Sequence, residues 1–280
     1  MKGLKRILCF SLVIGVLSFA GCGQKSAGTK TASEATATAT STATTAEAKP
    51  VALTISAAAS LKDAMEEIKA VYQKEKPNVT ITYNYGSSGS LQQQIEQGAE
   101  VDVFLSAATK QMDALKDKGL LLDDTRKDFL ENKIVLVIPK DSTAVTDFKD
   151  LTSDKVQQVA LGEPKSVPVG QYAEEMLKKL NLLDSIKPRV VYGKDVKEVL
   201  TWVETGSADA GIVYETDAKV STKVKVVAKA PEGSISPVYY PAAVIKASKN
   251  QDTARDFINY IYSSKAKPVF EKYGFAFLIK

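Results

Sequence analysis

From Val51 onward the apolar positions change period in a regular succession. Val51 to Ser56 alternate as a strand, and Leu61, Ala64, Met65, Ile68, Val71 and Tyr72 then fall on one face of a helix that Pro77 ends. Val79, Ile81, Tyr83 and Tyr85 alternate again, the run breaks at Gly86 to Ser90 (GSSGS), and Leu91 and Ile95 resume helical spacing. A short buried strand is predicted within Gly98 to Ser106 and a helix over Lys110 to Lys118, closed by Gly119. Ile134 to Ile138 is an unbroken apolar run stopped by Pro139, the pattern of a strand covered on both faces.

The second half repeats this scheme. Val159 to Leu161 reads as a strand, and the segment Gly162 to Gly170 (GEPKSVPVG) leads into a helix with Val169, Tyr172, Ala173, Met176, Leu177 and Leu180 inward. Pro168 suits an early helical position, where its missing N–H costs nothing. Arg189 to Tyr192 is a strand, Asp195 to Glu198 have the spacing of a cap and capping box, and Val196, Val199, Leu200 and Val203 face inward. A further short strand ends at Tyr214. Val238 to Ile245 form another, followed by a helix with Ala254, Phe257, Ile258, Ile261 and Tyr262 on one face.

Strand and helix alternating twice over predict an α/β protein of two lobes, each a mostly parallel sheet flanked by helices, with a ligand cleft between them. The lobes are expected to be 51–131 with 241–280, and 132–240, the chain crossing near Glu131 and Asn132 and returning near Pro237 to Pro241. Crossings of that kind are natural hinges.

Several turns place hydrogen-bond donors where a strand hands over to a helix. Ser60 stands at a helix start with Asp63 at capping-box distance, and the GSSGS turn offers hydroxyls and N–H groups at another. Val169 and Val196 present N–H groups in the first turns of theirs. The first amides of a helix lack internal partners and carry the positive end of the macrodipole, so such turns suit anions. Ser60 and Asp195 would equally serve as plain caps, and Tyr214 as an ordinary core tyrosine; the joint occurrence in two repeated units favours a site.

The amino terminus belongs to a different class of segment. Lys2, Lys5 and Arg6 precede an apolar stretch from Ile7 to Ala20, too short to span a bilayer comfortably, and small residues lead to Cys22. Residues 1–21 are read as an export signal. The Cys after Ala-Gly resembles the signal of bacterial lipoproteins, which implies lipidation of Cys22; Phe19 departs from the Leu usual at its position. Residues 22–50, rich in Ala, Thr, Ser, Lys and Glu, bury too little to offset ordering and are expected to form a flexible tether. With Cys9 lost and Cys22 lipidated, the folded part has no thiol and the chain has no His, so disulfides, thiolate sites and the usual serine-protease base are excluded. Loss of the three cations of the signal takes the net charge from +4 to about +1, which argues against a nucleic-acid surface.

Seven segments together resemble the substrate-binding proteins of molybdate ABC transporters: Ala57 to Leu61 (AAASL), Gly86 to Leu91 (GSSGSL), Asp102 to Ala107 (DVFLSA), Gly162 to Gly170, Asp195 with Val196, Gly211 to Tyr214 (GIVY), and Tyr273 to Phe275 (YGF). The resemblance covers Val51 to Lys280 and implies a periplasmic-binding-protein-like fold. It implies an oxyanion held by the hydroxyls of Ser60 and Ser88, the N–H groups of Val169 and Val196, and the hydroxyl of Tyr214; Val169 stands where relatives often have Ala. The ligand implied is molybdate or tungstate, with no cofactor and no metal beyond the centre of the bound oxyanion. The implied partners are a membrane permease and its ATPase, for a monomer anchored by lipid outside the cytoplasm that is not an enzyme. All five groups can donate hydrogen bonds and none is a charged side chain, which suits a tetrahedral dianion bearing no proton. A protein for another oxyanion such as sulfate, and an exported serine hydrolase using Ser88 or Ser60, are the competing readings; Gly86 to Ser90 lacks the final Gly of a Gly-x-Ser-x-Gly elbow.

Overall fold

The computed structural model describes residues 49–280, so the expected signal peptide, Cys22 and all but the end of the tether lie outside the described residues. Among the described residues no helix is long and apolar enough to cross a membrane.

The chain runs β1 (Val51–Ala58), α1 (Lys62–Glu75), β2 (Val79–Gly86), α2 (Ser88–Glu96), β3 (Val103–Leu105), α3 (Thr109–Asp117) and β4 (Lys127–Asn132). It then crosses to β5 (Ile134–Pro139), β6 (Val159–Gly162), α4 (Pro168–Lys179), α5 (Leu183–Ile186), β7 (Val190–Gly193), α6 (Val196–Glu204), β8 (Ala210–Tyr214), α7 (Glu215–Val220) and β9 (Val224–Lys229). It returns through β10 (Val238–Val244), α8 (Gln251–Ile261), α9 (Lys267–Tyr273) and β11 (Ala276–Phe277). Two sheets result, ordered β11-β4-β10-β3-β1-β2 and β7-β6-β8-β5-β9. This is a two-lobed α/β fold.

Each lobe has a parallel βαβ centre: β1 pairs with β2 and β3, and β6 with β7 and β8, all parallel. The remaining ladders are antiparallel. The sheets are therefore mixed, where the helix-strand alternation predicted mostly parallel ones. The strands beside the crossings pair antiparallel within their own sheets, β4 with β10 in the first and β5 with β9 in the second. From Val238 the chain is again in the first sheet, where β10 lies between β3 and β4.

The core sits on both faces of each sheet. In β3, Val103 and Leu105 join the main core and Phe104 the smaller cluster with Leu91, Ile95, Met112 and Leu115 of α2 and α3. All three are fully buried. A strand buried on both faces must be apolar throughout, which is why β3 and β5 read as unbroken runs.

Candidate functional site

The register of the strands brings the predicted turns to one place. In the first sheet Ala58 lies opposite Gly86, so β1 and β2 end level and deliver Ser60 and Ser88 side by side. In the second, Gly162 lies opposite Gly193 and β8 runs parallel beside them, so the residues after three parallel strands carry Val169, Val196 and Tyr214 to the facing edge. Carboxyl ends of parallel strands are where open α/β sheets bind ligands. All five residues line one cavity of about 10 Å³. That is room for about one water-sized sphere, so the closed space suits a small ion and not a drug-sized organic ligand.

Ser60 differs from expectation in its local role. Ala59 to Leu61 form a 3-10 turn, α1 begins only at Lys62, and no side chain caps either element. The tighter turn swings Ser60 off the helix axis, and its Oγ meets Tyr240 Oη at 2.9 Å instead. Ser88 opens α2, while its neighbour Ser87 is the cap and accepts from Ser90 N–H. Ser88 Oγ accepts the N–H of Ala107 at 2.9 Å, so its own proton is free for another acceptor.

Val169 is the second residue of α4, whose preceding Val167 offers no side-chain cap. The first turn of α4 presses on the end of β6: a Cβ at Gly170 would lie 2.0 Å from the carbonyl oxygen of Gly162, so only glycine permits this approach. Val196 is the first residue of α6; the cap carboxylate of Asp195 accepts from Glu198 N–H at 3.0 Å. The partner of Glu198 is Lys194 N–H, not the amide of Asp195. Amides at these two positions have no acceptor within their own helix.

Tyr214 is buried, and its hydroxyl makes no hydrogen bond among the described residues. Its nearest aromatic neighbour, Tyr240, meets it edge-on at 5.7 Å between centroids. Burial above all, then the neighbouring Tyr240, Tyr172 and Asp217, raises the Tyr214 hydroxyl well above its ordinary pKa. The group is therefore a neutral donor, and a buried donor without a partner costs about 1–3 kcal/mol until one arrives. Among the described residues no Lys or Arg lines the cavity, and Asp195, already engaged as a cap, is the one ionisable carboxylate.

The lobes touch across this cavity. Gly89 N–H of α2 donates to the carbonyl of Ser166 at 2.9 Å. Lys197 Nζ of α6 donates to Asp63 of α1 at 2.8 Å and lies 3.0 Å from Asp217, whose side chain is wholly buried. Burial raises the Asp217 carboxyl above its ordinary range, while Lys197 pulls it down.

Sequence reasoning missed Gly89, Lys197, Asp217, Asn132 and Tyr240, all beside or behind the cavity. Gly89 and Asn132 stood inside segments singled out for other reasons. Tyr240, in a buried strand, reads as a core tyrosine, and its contact with Ser60 lies 180 residues away in the chain.

Comparison with known proteins agrees with this architecture. The family of bacterial extracellular solute-binding proteins matches residues 53–276. The putative ABC transporter substrate-binding lipoprotein YvgL of Bacillus subtilis is 49% identical over 228 residues, 81% of this chain and 87% of that one. The molybdate-binding protein ModA of Haemophilus influenzae is 41% identical, over 80% and 89% of the two chains. Among solved structures, the substrate-binding domain of a putative molybdenum ABC transporter from Clostridium difficile is 51% identical, with a TM-score of 0.64, over 81% of this chain and 99% of that one. The chain belongs to the bacterial extracellular solute-binding proteins, and within them to the substrate-binding proteins of molybdate ABC transporters.

Proposed function

We propose that this protein captures molybdate, and tungstate with it, outside the cytoplasm and delivers it to a membrane permease driven by an ATPase. It acts by binding, not catalysis, as a monomer held to the membrane through lipidated Cys22. Ser60, Ser88, Val169, Val196 and Tyr214 are its ligand-binding groups. The observation that carries the reading is the donor set of the cavity: two hydroxyls, two helix-start amides and a tyrosine hydroxyl, the last without a partner and the whole without a cationic side chain among the described residues.

Such a set recognises an acceptor-only ligand. A tetrahedral dianion without protons can take a hydrogen bond from every group, whereas a protonated anion would turn an O–H toward donors and leave it unpaired, at about 1–3 kcal/mol. Sulfate carries the same charge but is smaller, so donors fixed for molybdate stand too far off. Neutral donors also discriminate by direction, which a mobile ammonium would not.

The two lobes close about their crossings, since Ser60 and Ser88 come from one and Val169, Val196 and Tyr214 from the other. Ligand contacts from both can form together only when closed, so binding shifts the population toward the closed form. The test is calorimetric titration with molybdate, tungstate, sulfate and phosphate in turn. Tight one-to-one binding of the first two, with sulfate much weaker and phosphate weakest, is the expected result; comparable sulfate affinity refutes the donor set as the source of selectivity.

A further inference from the structure

A chain of hydrogen bonds runs from the crossing between the lobes to the cavity wall. Asn132, the last residue of β4, accepts Lys133 N–H on its Oδ1 at 2.8 Å. That fixes which end of the amide is which, a point the residue type alone leaves open. The two hydrogens on Nδ2 are then committed, one to Thr216 Oγ1 at 2.8 Å and one to Tyr240 Oη at 3.2 Å. Asn132 Nδ2 cannot accept, so among the described residues the acceptor within reach of the buried Tyr240 proton is Ser60 Oγ, at 2.9 Å. Ser60 in turn has only its own proton left to give, and the cavity it lines is where an acceptor can receive it.

Asn132, Tyr240 and Thr216 are all buried, so no bulk solvent competes for these links. Tyr240 does not line the cavity; it stands behind Ser60. Reversing the link to Ser60 would leave the buried Tyr240 proton without an acceptor, since the amide nitrogen of Asn132 cannot take it, at a cost of about 1–3 kcal/mol.

We propose that Asn132 and Tyr240 are positioning residues that lock the Ser60 hydroxyl as a donor toward the cavity, and so set its preference for oxyanions without protons. The proposal rests on the oxyanion reading of the cavity. It divides the labour: the lining groups supply affinity, and the relay from the crossing supplies discrimination by protonation state.

Two substitutions separate these roles. N132D replaces the donating amide by an acceptor, so Tyr240 donates to it, Ser60 donates to Tyr240, and the cavity faces a lone pair of Ser60. Y240F removes the link and leaves Ser60 free to rotate. The probes are selenate and arsenate, competing against molybdate on the full protein at mildly alkaline pH, where both are dianions of similar size and only arsenate carries a proton. A buried charge added by N132D weakens both alike and cancels in their ratio.

Wild type is expected to favour selenate, and N132D to move the ratio about tenfold toward hydrogen arsenate, one hydrogen bond gained for one clash lost. Y240F is expected to move it the same way by less. A role in packing alone would lower both affinities and leave the ratio where it was. A ratio within about twofold of wild type overturns the relay, and Y240F alone decides this if N132D does not fold. Failure of wild type to bind molybdate at all would instead overturn the oxyanion reading beneath it.

Discussion

Gly89 offers a direct test of closure, because its effect on the folded lobe and its effect on the closed cleft have opposite signs. It is the second residue of α2, in ordinary helical backbone, and its N–H donates to Ser166 of the other lobe at 2.9 Å. A Cβ built there would stand 2.5 Å from the Ser166 carbonyl oxygen and 2.7 Å from its Cα. Ordinary contact begins near 3.4 Å, so the lobes must part by about 0.9 Å to admit the methyl group. That displacement breaks the Gly89–Ser166 hydrogen bond, about 1 kcal/mol, and withdraws the donors of one lobe from a ligand held by the other, at about as much again. G89A should therefore weaken molybdate binding by about 2 kcal/mol, roughly thirtyfold. Without ligand the lobes are free to stand apart, and Ala for Gly inside a helix stabilises by about 0.5–1 kcal/mol. The ligand-free protein should thus melt at the same temperature or slightly higher, while the rise in Tm on adding molybdate shrinks. Calorimetric titration and paired melting curves make the comparison. Affinity within about twofold of wild type would refute the reasoning, and so would a lower melting temperature without ligand, which would make Gly89 a folding requirement.

The two hydroxyls of the site should separate in the same assays. Y214F removes a donor without a protein partner, so affinity falls about tenfold while the ligand-free protein melts no lower. S88A also strands the buried N–H of Ala107, so it loses affinity and about 1–2 kcal/mol of stability together. Molybdate affinity should be flat with pH from neutrality to about pH 10, because burial holds the Tyr214 hydroxyl protonated past the ordinary tyrosine range and deprotonation would set an anion against an anion; a decline beginning below that contradicts the burial argument. K197M leaves the Asp217 carboxylate buried and unpaired at a cost of about 3 kcal/mol near neutral pH. Burial raises the folded-state pKa of that carboxyl, so the deficit should shrink as pH falls and the group protonates, and adding D217N should recover most of it.

What the sequence could and could not reveal follows from the range over which each interaction acts. The elements of the βαβ centres were legible because their signals are local: period-2 runs in β1 and β2, an apolar run in β5, Pro and Gly at the ends of helices. The turns that line the cavity were legible for the same reason, since a strand end followed by a helix start within a few residues fixes where an amide points. β4 and β9 were not. Lys127 to Asn132 (KDFLEN) and Val224 to Lys229 (VKVVAK) mix charged and apolar residues without a sustained period, and pairing with β10 and β5, far along the chain, is what makes them strands. Ser60 shows the limit within a single residue. Its place at the cavity was readable from the strand before it, yet the capping role expected from Asp63 three residues on gave way to a bond with Tyr240 across 180 residues. A hydroxyl can satisfy either geometry at little difference in local energy, so a distant partner decides which one it takes. In this cleft that partner also decides the direction of the proton, and therefore a property of the site was encoded in a strand that carries none of the site's own residues.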